Sequence, residues 1–281
     1  MTSVVIAAHN EAAVIGRCLD SLLADAAPGE FDVTVAANGC TDATVRVAAD
    51  RGARVVELAE PGKPGALNAG DAVAVGFPRV YLDADIILST AGLRTLAAAT
   101  GGSCLAATAR RELDLTGRPM LVRAYFAVHR WLPAVRTGLF GRGVIVLAEA
   151  GRARFERFPD LVSDDLFLDS LFAAGEKAVV SDVPALVATP RRTRHLIRRL
   201  VRVRGGNAAM RSAAARGELG AAVRPAERFA WFKDVVLRRP WLVPAAVCYV
   251  GITVYAAAVA GNTPDRGWGR DDSTRQEEAH V

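Results

Sequence analysis

Asp83 and Asp85 interrupt the stretch VYLDADIIL (80–88), two carboxylates two residues apart in an otherwise apolar run. If a strand continues through them, both side chains point to the same face. Like charges that close repel unless a cation lies between them or one is protonated. Hard divalent cations take carboxylate oxygens, and Mg2+ is held by one or two carboxylates together with phosphate oxygens. A metal–diphosphate site is the economical chemistry for this pair.

A second acidic pair, Asp164 and Asp165, opens VSDDLFLDSLF (162–172). Adjacent carboxylates raise the pKa of one of them, which makes a usable general base. The same residues, with Ser163, would also serve as a plain helix cap. Two polar stretches lie earlier. In AHNE (8–11), His9 and Asn10 either shape a turn or face a ligand. In ANGCTD (37–42), Asn-Gly favours a turn, and Thr41 or Asp42 can cap a following helix.

The elements that must position these groups alternate. SVVIAA (3–8) is a β-branched run. After it Val14, Ile15, Cys18, Leu19, Leu22 and Leu23 recur at helical spacing. FDVTVAA (31–37) reads as strand and TDATVRVAAD as helix. ARVVEL (53–58) is strand, GALNAGDAVAV helix, and RVYLDADIIL strand again. Alternation of this kind predicts a mostly parallel sheet flanked by helices, an α/β fold with right-handed crossovers. Ligands bind beyond the carboxyl ends of such strands. AHNE, ANGCTD and the two aspartates of DAD all fall there.

The chain has 281 residues, 51% hydrophobic and 23% charged, with a net charge of +5. That size builds a sizeable core, and the basic balance suits phosphates or an anionic membrane. Cys18, Cys40, Cys104 and Cys248 form no CxxC or Cys/His cluster, which argues against a zinc site or a disulfide framework. His129, His195 and His280 have no ligand partners at a recognisable spacing. The first residues run straight into a strand, so no signal peptide is expected at this start.

VVIAAHNEAAVIGRCLDSLL, ANGCTDAT, GKPGALNAG and YLDADIIL, in this order, resemble the first half of a family 2 glycosyltransferase of the GT-A fold. FGRGVIVL, SDDLFL and RRLVRVRGGN extend the resemblance to about residues 3–207, resembling an acceptor-side glycine loop, an acidic motif before a helix and a Gln-x-x-Arg-Trp segment. The resemblance implies a nucleotide-diphospho-sugar donor, a Mg2+ or Mn2+ ion, inversion at the sugar carbon and no nucleic-acid partner. It makes Asp83 and Asp85 the metal and diphosphate motif, with Asp85 the direct ligand. It sets His9 where an aromatic residue stacks on the base, Glu11 beside the nucleoside, and Lys63 on phosphate or sugar hydroxyls. Asn38, Asp42 and Asn68 fall on the donor side, and Arg202 on phosphate. Asp165 becomes the base and Asp164 its neighbour.

Two departures matter. Ala37-Asn38-Gly39 stands where the family often has Asp-Asp-Gly, which leaves the donor base open, although Asn38 can hydrogen-bond a base or ribose edge. Arg199-Leu200-Val201-Arg202-Val203 lacks the tryptophan of Gln-x-x-Arg-Trp, which argues against a processive synthase. A nucleotidyltransferase would carry a glycine- and basic-rich loop after the first strand, and AAHNEAAVIG is not one. A catalytically inactive binding module would be free to lose Asp85 or Asp165, and both are present.

The expected organisation is a glycosyltransferase domain over 1–207, split into a nucleotide-sugar half (1–100) and an acceptor half (101–207). A basic connector (208–240), a hydrophobic segment (241–261) and a polar tail (262–281) follow. The arginine-rich run 191–204 suits diphosphate, anionic lipid or simply solvent. Residues 241–261 carry no charge, about the length that crosses a bilayer, with Trp241, Arg238 and Arg239 at the start. Membrane association is expected, with a lipid-linked or small hydrophobic acceptor. Residues 222–240 carry a net +3 and 262–280 a net −2, which sets the catalytic domain on the cytoplasmic side.

Overall fold

A computed structural model describes residues 1–161, 163–220 and 223–261. The chain forms two compact units that interleave along the sequence. The first comprises Met1–Glu112, Leu139–Asp160 and Leu171–Val187; the second comprises Leu113–Gly138, Leu161–Ser170 and the chain from Ala188 on.

The strands are β1 (Thr2–Ala8), β2 (Phe31–Asn38), β3 (Arg54–Leu58), β4 (Arg79–Asp83), β5 (Ala106–Asp114), β6 (Val144–Leu147) and β7 (Lys177–Ala188). They make one sheet in the order β3-β2-β1-β4-β6-β5-β7. The first four are parallel, as the alternation predicts, and β6 joins antiparallel to both β4 and β5. Helices α1 (Ala12–Leu23), α2 (Thr44–Ala49), α3 (Lys63–Val73) and α4 (Thr90–Ala98) lie between the early strands and just after β4. α1 buries Ile15, Cys18, Leu19 and Leu22, while Val4, Val5 and Ile6 of β1 are fully buried. α3 sits close on the sheet at Gly70, where a Cβ would come within 2.6 Å of Val5 Cγ1.

An ion cluster fixes the start of β4. The buried carboxylate of Asp71 accepts from Arg79, from the Tyr81 hydroxyl at 3.0 Å and from Arg152 Nε at 2.6 Å. Three donors for one buried carboxylate offset its desolvation, which an isolated pair would struggle to do.

The later helices are α5 (Met120–His129), α6 (Pro133–Thr137), α7 (Glu149–Arg152), α8 (Asp164–Ser170), α9 (Thr193–Ala215) and α10 (Val243–Gly261). In the second unit α5, α9 and α10 share a core of Val122, Phe126, Leu196, Tyr249 and Ile252. Tyr125 stacks on Tyr249 with ring centroids 5.1 Å apart. The stretch Pro240–Gly261 is the one helix among the described residues long and apolar enough to cross a membrane. It buries Ala246, Tyr249, Ile252 and Ala256 and leaves Val247, Val254 and Tyr255 exposed. The expected polar tail lies outside the described residues.

Candidate active site

The carboxyl ends of β1 and β2 are stitched together by side chains. His9 Nδ1 lies 2.6 Å from the Asn38 carbonyl, so the ring carries its proton on that nitrogen. Asn10, at φ 53°, turns its amide oxygen to accept from Thr41 N–H at 2.7 Å and Asp42 N–H at 3.3 Å. Asparagine tolerates this left-handed backbone better than most residues. Glu11 is buried and donates its backbone N–H to Thr44 Oγ1 at 2.7 Å. Asp42 accepts from Ala12 N–H at 3.1 Å and Thr44 N–H at 3.0 Å, so one carboxylate serves the first residues of both α1 and α2.

Three residues placed on the donor side by resemblance make hydrogen bonds within the protein. Asn38 is fully buried: its amide nitrogen donates to the Ala8 carbonyl at 2.8 Å, and its oxygen accepts from Gly62 N–H at 2.9 Å. A side chain so placed cannot reach a base or ribose edge; it locks β1, β2 and the loop before α3 together. Asn68 donates to the Phe158 carbonyl at 3.0 Å and accepts from the Phe158 N–H at 2.7 Å. Asp42, although exposed, is engaged by the two helix starts. Only for Asn38 does burial replace the donor role; Asn68 and Asp42 shape loops at the sheet's carboxyl edge.

β4 stops at Asp83. The chain then turns, with Ile86 N–H donating to the Asp83 carbonyl at 3.2 Å, so Asp85 lies in a turn rather than further along a strand. The shared-face argument, which required a continuing strand, therefore fails. The two carboxylates nonetheless act on one neighbour. The Cys18 thiol beneath them is pushed up to about 12, first by burial and then by the charges of Asp85 and Asp83. Lys63 Nζ, on the first residue of α3, lies 2.7 Å from Asp83 Oδ1. Gly143, at φ +73°, lets the loop before β6 close on this turn: a Cβ there would collide with the Ile86 side chain. Its carbonyl accepts from Asp83 N–H at 2.8 Å.

Among the described residues no group of three His, Cys, Asp or Glu side chains could hold a metal. An ion at Asp83 and Asp85 would take its remaining ligands from phosphate oxygens and water, which is how hard divalent cations bind beside substrate phosphates. The all-oxygen donor set and the exposure of Asp85 fit such an ion.

The second unit holds the other acidic pair. Asp164 and Asp165 form the first turn of α8, and Asp165 Oδ1 accepts from Leu166 N–H at 2.8 Å. Ser163 has φ 146°, and its hydroxyl donates to Asn207 Oδ1 at 2.9 Å, fixing the loop before α8 to α9. Arg202 lies half-buried on α9. Of the two roles open to Asn10 in the sequence, the structure shows the turn. Sequence reasoning missed Thr44 and Asn207, and Asn207 carried no local signal.

Residues 3–107 match the family model described as glycosyl transferase family 2. The match runs from β1 to the start of β5, the stretch that carries Asp83 and Asp85. The sheet is that of the GT-A fold. The mannosyltransferase PcManGT from Pyrobaculum calidifontis, solved with GDP-Man and Mn2+, superimposes with a TM-score of 0.61 at 20% identity, over 94% of this chain and 76% of that one. S. aureus TarS 1–349 superimposes with a TM-score of 0.54 at 15% identity, over 91% of this chain and 80% of that one. The same protein in complex with UDP gives 0.51 at 15% identity, over 96% and 94%. At such identities the likeness is one of fold. No curated protein matches the sequence.

Proposed function

We propose that the protein is a family 2 glycosyltransferase that moves a sugar, with inversion and non-processively, from a nucleotide-diphospho-sugar to a lipid-linked or small hydrophobic acceptor. The observation that carries the donor side is the turn after β4, where Lys63 meets Asp83 and the Asp85 carboxylate is exposed. That PcManGT was solved with GDP-Man and Mn2+ supports a similar donor and a Mg2+ or Mn2+ ion here. Asp85, with Asp83, would hold the ion, which when bound would neutralise charge on the departing diphosphate.

The chain's own residues do the rest. Lys63 lends a positive charge where the diphosphate develops negative charge, an electrostatic aid aimed at the transition state. His9 offers its ring and Glu11 its carboxylate toward the nucleoside, and Arg202 a guanidinium toward phosphate. Asp165 takes the proton of the acceptor hydroxyl as that oxygen attacks the anomeric carbon, with Asp164 beside it. A single displacement of this kind inverts the configuration.

The membrane side rests on α10, with its exposed valines, and on the net +3 of residues 222–240, which favours a cytoplasmic catalytic domain. The division at 207 between transferase domain and basic connector belongs to the same reading. A hydrolysis screen across nucleotide-sugars with Mn2+ tests the donor assignment. One donor should be hydrolysed well above the others; no turnover of any donor would reject it.

A further inference from the structure

Arg204, Asn207 and Arg211 lie at i, i+3 and i+7 on α9, which puts all three on one face of the helix. Arg204 Nε is buried and has no hydrogen-bond partner. Arg211 donates from Nε to the Arg224 carbonyl at 3.0 Å and from Nη1 to the Asn207 carbonyl at 3.5 Å. Among the described residues neither guanidinium has an ion-pair partner. Burial and the charge of Arg204 both push Arg211 below the usual guanidinium range. Two like charges held together, one with an orphaned buried N–H, form a costly arrangement. An unsatisfied buried donor alone costs about 1–3 kcal/mol.

Asn207, between the two arginines, is the residue whose Oδ1 accepts from the Ser163 hydroxyl, and Ser163 immediately precedes Asp164 and Asp165. The positive pair is thereby tied to the loop that carries the proposed base. We propose that Arg204 and Arg211 form an anion-binding site that takes the phosphate of a phosphorylated acceptor. This rests on the assignment of residues 163–165 to the acceptor side. A phosphate dianion supplies the acceptor lone pair that Arg204 Nε lacks and further acceptors for the remaining guanidinium N–H groups, in the charge-assisted geometry that arginine favours. It also replaces repulsion between the two arginines with attraction to a common partner. The phosphate comes either from a soluble phosphomonoester or from a lipid whose headgroup is itself a phosphomonoester, and both offer the same dianion.

The test uses the full chain in detergent. Inorganic phosphate, titrated calorimetrically, should bind saturably. Arg204→Gln and Arg211→Gln should each weaken binding about tenfold or more, the loss of one charge-assisted hydrogen-bond set. Arg228→Gln, at an exposed arginine outside both proposed sites, should bind phosphate as the parent does, which separates this site from general positive charge. Arginine modification by phenylglyoxal on the unaltered protein, mapped by mass spectrometry, keeps the test independent of how the variants fold. Phosphate should protect Arg204 and Arg211 and leave Arg228 and Arg238 as reactive as before. Protection by glycerol phosphate points to a soluble acceptor; protection only by phosphatidic acid vesicles, and not by phosphatidylcholine vesicles, points to a lipid. Equal modification with and without every one of these probes, or unchanged phosphate binding in both variants, overturns the proposal. If phosphate binds as expected and Asp165→Asn transfers normally, the anion site stands and the base assignment falls.

Discussion

Lys63 Nζ sits 2.7 Å from Asp83 Oδ1, joining the first residue of α3 to the last residue of β4. The pair is partly open, with 24% of the lysine side chain and 42% of the aspartate side chain exposed. Pairs this accessible contribute little to stability. In the proposed function the pair holds a cation at the edge where the diphosphate would arrive. Lys63→Ala should therefore leave the melting temperature nearly unchanged and weaken donor binding about tenfold, the scale of one lost charge-assisted contact. Equal donor affinity in parent and variant would remove Lys63 from the site.

The turn at Asp83–Ile86 makes a sharper claim about Asp85. Asp85 is exposed in this turn, and the proposed ion would bind there. Asp85→Asn should abolish donor turnover, as should chelation of the parent enzyme, with activity restored by added Mn2+. Full activity in excess EDTA contradicts the metal assignment.

Asn38 tests the structural role that replaces its donor role. Asn38→Ala would leave the Gly62 N–H and the Ala8 carbonyl without their side-chain partner in a fully buried setting. The penalty is about 1–3 kcal/mol, which lowers the melting point by several degrees for a chain of this size. A thermal melt reads this directly. An unchanged melt with selective loss of one nucleotide base preference would return Asn38 to the donor side.

The contrast between Asn38 and Lys63 shows what was legible in the sequence. The parallel strands, the helices between them and the polar stretches at their carboxyl ends follow from periodicity and punctuation, and all are found. Which polar residue faces outward does not follow. Asn38 and Asn68 look like ligand-binding residues in the sequence, but their amides satisfy backbone groups that are distant in the chain, Gly62 and Phe158. The turn after Asp83 was likewise hidden, because Ile86 to Leu88 continue the apolar run that a longer strand would have. The interleaving of the two units is a matter of long-range contact with no local pattern to announce it.

Asp165 lies in the first turn of α8 with one oxygen held by the Leu166 N–H. Asp165→Asn keeps an oxygen for that bond while removing the basic carboxylate, so the fold should persist. Nucleotide-sugar affinity should stay close to the parent's, and transfer should fall by a factor on the order of 10² or more. Inactivity of Asp164→Asn with near-normal Asp165→Asn would exchange the two roles. Product of retained configuration would reject the single displacement.

The membrane prediction turns on the two faces of α10. One face carries Ala246, Tyr249, Ile252 and Ala256 and is packed within its own unit. The other presents Val247, Val254 and Tyr255, with Trp241 72% exposed just ahead of the helix and Leu237 exposed before it. Burying one valine or leucine side chain is worth about 1.5–3 kcal/mol, so several together outweigh the cost of bringing this region to a bilayer. Arg238 lies exposed in the same stretch and would add attraction to anionic headgroups. The full chain should sediment with membranes on ultracentrifugation of a lysate and remain there through a carbonate wash. Replacing Leu237, Trp241 and Val247 together by serine should release it while leaving the packed face of α10 intact. If the parent protein stays in the supernatant, α10 is a core helix with a solvated side, and the lipid-linked acceptor loses its main support.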